Sequence, residues 1–467
     1  MRRAKYNKNR NIKKKIFLMG IIFSALFILI IQIDNRRQNT NENELVEKRA
    51  KIEVERLLES IQTDKKHSFI KANSKNVIYY ILNTEEEKKE MINELEKQTK
   101  KAVSKVSGSK AFVLSYISEK EITEKVSHRL SITKSFLWNA RKNDFELVSK
   151  KETVVEIMLT ETRQAIRLQD LVRTEADLLA IHRIVQQSIL SLNLKVENKI
   201  DKVLEMKRLT LDSEVRILPR YLEVQLDENL FGISKIDIVY SEIFHFIDSS
   251  IIDNIEAPKK YLEEGKKYLA LTFDDGPNES STARLLDILK KEETKATFFV
   301  LGNMVEANPE IAQRIVQENH EIASHSFSHP DLTSLTLDQV RSEVSKTDKV
   351  IYDNTNVLPI NFRPPYGAIN KQVAREIGLP IIQWNTDSQD WKLRDRKHII
   401  TEVIDSAQHG SIILLHDIHD TTIDAVPEII HRLRSQGYEF VTVHNLLSGM
   451  QKPLSQYFGK TDERLIE

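Results

Sequence analysis

The chain contains no cysteine in its 467 residues. Disulfides, thiolate zinc sites and cysteine nucleophiles are thereby excluded. A cysteine-free composition also suits export to a Gram-positive bacterial surface, where disulfide use is sparse. Net charge is absent too, with 69 Lys+Arg against 69 Asp+Glu, and no nucleic-acid partner is expected. What remains is an ordinary globular composition, 40% hydrophobic and 30% charged, which argues against wholesale disorder. The length suffices for two or three domains.

The overall neutrality hides a basic N-terminus. Arg2, Arg3, Lys5, Lys8, Arg10, Lys13, Lys14 and Lys15 precede an apolar stretch from Ile16 to Ile31, extended past Gln32 by Ile33. At the helical rise this stretch spans roughly 27 Å, close to the hydrocarbon thickness of a bilayer. No small-x-small cleavage signal follows it; the chain continues Gln32-Ile33-Asp34-Asn35-Arg36-Arg37. The expectation is an uncleaved signal-anchor over 16–33 in the cytoplasmic membrane, with residues 1–15 as a cytoplasmic tail and everything after Asp34 extracellular, facing the cell wall.

Residues 34–150 read as an N-terminal extracellular region. It opens with a charged helical stalk carrying an imperfect apolar stripe, Leu45, Ile52, Val54, Leu57, Leu58 and Ile61, taken as a solvated spacer with one packed face, a short coiled coil being the alternative. Strands are predicted at 76–82 and 110–116, with a Glu- and Lys-rich helix between them. Residues 151–262 read as a middle α+β domain, with helices over 168–192 and strands at 222–226 and 236–240. No constellation of His, Asp and Glu occurs in this accessory part; His67, His128, His182 and His245 are scattered singly.

From 263 to 450 strands and helices alternate, which predicts a parallel α/β sheet, open or closed into a barrel. Residues 451–467 are left as a C-terminal tail. Five short motifs fall at the ends of predicted strands of this region: Thr272-Phe273-Asp274-Asp275-Gly276-Pro277, His325-Ser326-Phe327-Ser328-His329, Arg363-Pro364-Pro365-Tyr366-Gly367, Asp387-Ser388-Gln389-Asp390-Trp391 and Leu414-Leu415-His416-Asp417. In α/β barrels catalytic residues gather at such strand ends. His325 and His329 are spaced to put both rings on one side of a tight turn, and Asp275 can supply a third ligand. A two-histidine, one-aspartate set suits Zn2+, and also Co2+ or another divalent transition metal.

Asp274 and Asp275 are neighbours, and neighbours on a strand point to opposite faces. The Gly276-Pro277 turn offers a way to bring both to one pocket, one for the metal and one for a proton. Amide hydrolysis further needs an acid for the leaving nitrogen, and His416 is the candidate. Arg363 is expected to pair with Asp274, and Asp390 with His416. Trp391, Tyr366 and Leu414 are expected to form an apolar wall suited to a sugar ring or an acetyl methyl.

With these motifs in this order, the stretch from about Tyr268 to Leu447 resembles the polysaccharide deacetylases, carbohydrate esterase family four. The resemblance implies a distorted (β/α) barrel at the C-terminus, preceded here by the α+β accessory region and the N-terminal transmembrane helix. It implies metal-dependent removal of acetyl from N-acetylated sugars. By position, Asp274 would be the base, Asp275, His325 and His329 the metal ligands, and the main-chain N–H of Tyr366 part of the oxyanion hole. Arg363 would orient the base, His416 tuned by Asp390 would be the acid, and Trp391 and Leu414 would line the acetyl pocket.

The layout of anchor, accessory regions and C-terminal catalytic domain resembles that of streptococcal-type peptidoglycan N-acetylglucosamine deacetylases. It implies peptidoglycan glycan strands as substrate, with the free amines making those strands poorer lysozyme substrates. The alternatives are another polysaccharide (an exopolysaccharide, a chitin-type oligomer or O-acetyl xylan) or a non-catalytic protein that binds wall glycan.

Overall fold

The computed structural model describes residues 28, 31–32, 36–37, 40–59, 67–74, 77–84, 89–106, 108–122, 125–161, 164–252, 255, 258 and 260–467. Almost all of the expected anchor over 16–33 therefore lies outside the described residues. Among the described residues no helix is long and apolar enough to cross a membrane. The chain forms two compact units, up to Arg163 and from Gln164 onward. The boundary expected at 150 falls inside a strand, Asp144–Leu159, whose hairpin pairing runs past it.

The first unit is a five-stranded sheet in the order β1-β2-β3-β4-β5, where β1 is His67–Ser74, β2 Val77–Thr84, β3 Ala111–Glu121, β4 Val126–Asn139 and β5 Asp144–Leu159. Alternation along β3 assigns its two faces. Phe112, Leu114 and Tyr116 pack with Val46, Ala50 and Val54 of the helix over residues 40–59. Ala111 and Val113 pack with Val103 of the helix Lys89–Val106. The stalk thus carries the one packed face expected of it, and that face lies on the sheet. Its i, i+4, i+8 seam of Val46, Ala50 and Val54 is 4%, 0% and 4% exposed, because one sheet face would otherwise be left uncovered.

The second unit is built on a parallel sheet. Its central strand, β9 (Lys267–Asp274), is flanked by β10 (Ala296–Val300) and then β11 (Glu321–Ser324) on one side. On the other side stand β14 (Ile412–His416) and β13 (Thr386–Asp387). Bridges Ser324↔Phe362 and Phe362↔Ile381 carry the ring to β12 (Ile381–Ile382), which pairs with β16 (Ser455–Gly459). A bridge from Gly459 back to Ser411, just before β14, closes a distorted barrel.

The period of two along β9 sorts its residues. Leu269, Leu271 and Phe273 pack outward against helices Ser281–Lys291 and Asp420–Ser435. Tyr268 and Ala270 pack with Phe299, Ile382 and Ile412 in a second core, which places Thr272 and Asp274 on that same inner face at the strand's C-terminal end.

Two expectations about flanking segments are corrected. Residues 451–467 are not a tail: β16 pairs with both β12 and β17 (Asp462–Leu465), since β12 needs a partner to complete the ring. Residues 164–252 fold in one unit with the barrel, and the contacts include buried charge. Arg183, on the helix Glu175–Ser191, sits 2.9 Å from Asp348 on the helix Leu337–Thr355, with side chains 10% and 2% exposed. The Arg183 guanidinium also donates to the Pro359 carbonyl, its Nε at 2.8 Å. Lys452 reaches Asp177 at 2.6 Å. Four strands read from sequence in this accessory part, β2, β3, β7 (Tyr221–Gln225) and β8 (Lys235–Val239), are present, whereas the long β4–β5 hairpin was not foreseen.

Burial pushes the Asp348 carboxyl above its ordinary range, and Arg183 opposes that shift. Arg183→Ala would leave this carboxylate buried without its cation. The expected cost is roughly 3–5 kcal/mol, read as a lower denaturant midpoint for the unit that begins at Gln164. The double change Arg183→Met with Asp348→Leu is expected to cost less than the single one.

Candidate active site

The five motifs meet at the C-terminal mouth of the barrel. Strand register brings His416 opposite Asp274 on adjacent parallel strands. Asp274 closes β9 on its inner face and is 3% exposed. The next residue, Asp275, has φ +76°. That left-handed turn defeats the alternation of a strand and swings the second carboxylate toward the same pocket as the first.

Asp275 Oδ1 lies 3.5 Å from His325 Nε2 and 3.5 Å from His329 Nε2. One ligand atom from each residue lies within 4.8 Å of the others. Ligand atoms about 2.1 Å from a tetrahedral ion are about 3.4 Å apart, so the spacing fits a zinc-sized ion. Asp275 Oδ1 is buried and accepts no hydrogen bond, an orphaned acceptor of the kind a cation satisfies. His325 Nδ1 is 2.7 Å from the Arg363 carbonyl, which orients the ring and leaves Nε2 facing Asp275. Burial pulls the His325 pKa down to about 3, with the Asp275 charge opposing, so the ring is neutral as a ligand must be. His329 stacks edge-on against the Tyr366 ring, centroids 4.7 Å apart.

Arg363 is fully buried. Its Nη1 donates to Asp274 Oδ1 at 2.6 Å and to Thr272 Oγ1 at 2.8 Å, while Nε and Nη2 donate to the carbonyls of Ile382 and Gln383. Its guanidinium lies 4.0 Å from the Phe299 ring centroid. Burial pushes the Asp274 carboxyl above the ordinary range, against the pull of Arg363 and His416. The group is therefore held in place yet remains basic.

On the other wall His416 Nδ1 is 2.7 Å from Asp390 Oδ1, and Asp390 Oδ2 accepts from the His416 amide and from Thr422 Oγ1. Burial alone would lower the His416 pKa. The hydrogen bond and charge of Asp390, with Asp274 and Asp275 adding to it, outweigh burial and hold the ring up to about 9. For Asp390 burial acts upward, but the bonds and charge of His416 and the Thr422 hydroxyl bring its pKa below the ordinary range.

Leu414 is 4% exposed, two residues before His416 and on the same face of β14. Tyr366 and Trp391 are 71% and 52% exposed. The three do not pack as one buried wall: two stand open to solvent at the rim and one lies inside. Tyr366 itself has φ +60°.

Residues to which the sequence reading gave no role complete the site. Thr272 and Thr422 satisfy Arg363 and Asp390. Asp417, next to His416, is buried beneath the Asp274-Asp275-Gly276 turn. A Cβ on Gly276 would stand 2.2 Å from its carboxylate. Thr282 donates to Asp417 at 2.6 Å and accepts from the Asn278 amide. Burial raises Asp417 to about 7 against that hydrogen bond, with Asp275 and Asp274 adding to the rise. Thr272 and Asp417 stood inside the quoted motifs without a role, and Thr282 and Thr422 carried no signal beyond lying a few residues after one.

A family model for polysaccharide deacetylase matches residues 262–382. The peptidoglycan-N-acetylglucosamine deacetylase PgdA of Listeria monocytogenes is 32% identical over 468 residues, 96% of this chain and 97% of that protein. The chain belongs to the polysaccharide deacetylase family. This deacetylase is also 42% identical over 193 residues to the peptidoglycan-N-acetylmuramic acid deacetylase PdaC of Bacillus subtilis, 41% of each chain. A family 4 acetyl xylan esterase from Clostridium thermocellum, solved with a cobalt ion, is 36% identical to it, covering 39% of this chain and 91% of its own, with a TM-score of 0.38. The family uses a divalent metal, and the Asp275, His325 and His329 set could hold one.

The His416 pKa has a thermodynamic consequence with a definite sign. A ring raised from 6.5 to about 9 adds stability that is fully present below 6.5 and fades as pH rises through 9. An NMR titration of the metal-free deacetylase is expected to place the His416 midpoint near 9. In Asp390→Asn, burial is left with less opposition, and the midpoint is expected to fall by more than one pH unit.

Proposed function

We propose that this protein is a membrane-anchored, divalent-metal-dependent hydrolase that removes the N-acetyl group from N-acetylglucosamine residues of peptidoglycan, releasing acetate and leaving free amines. The observation that carries this reading is the end-to-end similarity to Listeria PgdA, which extends through the accessory part and not only the catalytic region.

In this reading Asp275, His325 and His329 hold the ion, Zn2+ or Co2+. A bound divalent ion polarises an acyl oxygen and lowers the pKa of water. Asp274 takes the proton of the attacking water. Burial favours its accepting one, and Arg363, at 2.6 Å, aims it. As the water oxygen bonds to the acyl carbon, the backbone N–H of Tyr366 donates to the oxygen that gains charge. His416, kept protonated by Asp390, gives its proton to the nitrogen as the C–N bond breaks, so the sugar leaves as a neutral amine. Leu414 inside the mouth and Trp391 at its rim line the place of the acetyl methyl.

Similarity to PdaC over the catalytic region supports a second reading, deacetylation of the muramic acid residue of the same polymer. The purified region 34–467 is expected to release acetate from peptidoglycan with zinc, to stop after chelation, and to recover with cobalt. Amino-sugar analysis should then find new glucosamine amines; muramic amines instead would favour the second reading. Release only from a chitin oligomer or acetylated xylan would discard the wall role. Asp274→Asn is expected to lose at least 1000-fold in kcat while binding metal as before.

The anchor over 16–33 and the extracellular placement are proposed on the basic flank and apolar stretch of the sequence. The full chain is expected to stay with membranes through alkaline carbonate extraction. Deletion of residues 1–33 is expected to release it, and extraction of the intact chain would discard the anchor.

A further inference from the structure

The metal loop, residues 325–329, adopts a shape that its sequence does not favour. Ser326 and His329 both have positive φ, +70° and +62°, and neither is glycine. Such conformations are strained for residues other than glycine and persist only where the surroundings dictate them. The dictating contacts can be traced group by group. The His325 amide donates to the Val300 carbonyl, and the carbonyls of Ser326 and Phe327 accept from the amides of Gly302 and Asn303. The His329 amide donates to Ser326 Oγ. The two amides between, on Phe327 and Ser328, both donate to Glu343 Oε2, at 2.8 and 2.9 Å. The Ser328 hydroxyl donates to Glu343 Oε1 at 2.9 Å.

We infer that Glu343 is the positioning residue that holds the 325–329 loop in its metal-binding shape. A carboxylate that takes two consecutive backbone N–H groups fills an anion nest. Here it also takes the neighbouring hydroxyl, so three donors of one loop converge on one side chain. Glu343 stands on the helix Leu337–Thr355, whose N-terminus is fixed by a capping box of Thr336 and Gln339. It is the one side chain from outside the loop among these partners. The opposite side of the loop is closely packed as well: a Cβ on Gly302 would meet the Phe327 ring at 2.4 Å. The loop is thus gripped between the turn at Gly302 and Glu343.

The two ligands depend on this grip unequally. The His325 ring is tied independently to the Arg363 carbonyl. His329 lies just past the two amides that Glu343 holds; its ring packs edge-on against those of Tyr366 and His325, and among the described residues no hydrogen bond to another residue orients it. Loss of Glu343 should therefore loosen the His329 side of the site most.

The inference rests on the metal-site reading, and the test separates the two. Full-length metal-free protein would be titrated with zinc against a chromophoric chelator and with cobalt by visible absorption. The wild type, Glu343→Ala and Glu343→Gln would be compared, with circular dichroism and Tm as controls for folding. Glu343→Ala is expected to bind zinc 10- to 100-fold more weakly and to show an altered cobalt spectrum while remaining folded. Glu343→Gln keeps one oxygen acceptor for the two amides and is expected to recover much of the affinity. If Glu343→Ala fails to fold, Glu343→Asp, one methylene too short to reach the three donors, takes its place with the same expected weakening and spectral change. A folded Glu343→Ala, or Glu343→Asp in its place, with wild-type zinc affinity and an unchanged cobalt spectrum would overturn the role of Glu343. A wild type that binds no metal would overturn the metal reading beneath it.

Discussion

The site depends on one buried cation. Arg363 has no exposure, and an isolated charge in that position would be prohibitively costly. It is tolerated because every edge of the guanidinium is used: Asp274 and Thr272 from β9, the carbonyls of Ile382 and Gln383 across the barrel, and the Phe299 ring of β10 against its face. The same contacts join the side of the barrel that holds β9 and β10 to the side that holds β12. The carboxylate proposed as base and the closure of the barrel thus share a single partner. Asp274 cannot rotate away without stranding Arg363, so its orientation is enforced by the fold and needs no substrate to set it.

Around that pair the backbone is bent against preference where the chemistry requires it. Asp275, Ser326, His329, Tyr366 and Gln389 all have positive φ, and they fall in the first four motifs. At Asp275 the bend turns adjacent carboxylates toward one pocket. At Tyr366 it falls on the residue whose amide is proposed to meet the developing oxyanion. The bends of the first two motifs are held by partners outside those motifs, which is why these short segments only make sense within the barrel. Asp417 under the first turn and Glu343 beside the metal loop are two such partners.

The electrostatics divide the pocket in two. On one side burial keeps His325 neutral and makes Asp274 more basic; on the other Asp390 keeps His416 charged. Titratable groups driven in opposite directions by their surroundings provide a base and an acid in one small volume at neutral pH. The accessory residues 164–252 bear on this indirectly. Arg183 engages Asp348 on the helix that also carries Glu343, so that helix is braced by charge on one flank and grips the metal loop from another position.

Much of this was legible in the linear sequence. The alternation of apolar strands and amphipathic helices from 263 onward announced a parallel α/β sheet, open or closed into a barrel, and the five motifs brought forward the candidate ligands, carboxylates and acid at the strand ends. The first unit was legible only in part. The 40–59 stripe was read as one packed face on a solvated spacer, but what it packs on was not legible, because the sheet beneath it is built from residues further along the chain. The β4–β5 hairpin escaped because its middle, around Leu147 to Glu152, is exposed on an edge strand and lacks apolar alternation. The C-terminal strands escaped because two short segments become strands only when β12 and Ser411 offer them partners. The sequence by itself determined the chemical inventory and the order of strands and helices, since both follow from residue type and local period. Only the tertiary structure decided how Asp275 turns to face His325 and His329, which charges are buried, and that Glu343, Thr272, Thr422 and Asp417 support the site. Those properties arise from contacts between segments far apart in the chain, and no local pattern encodes them.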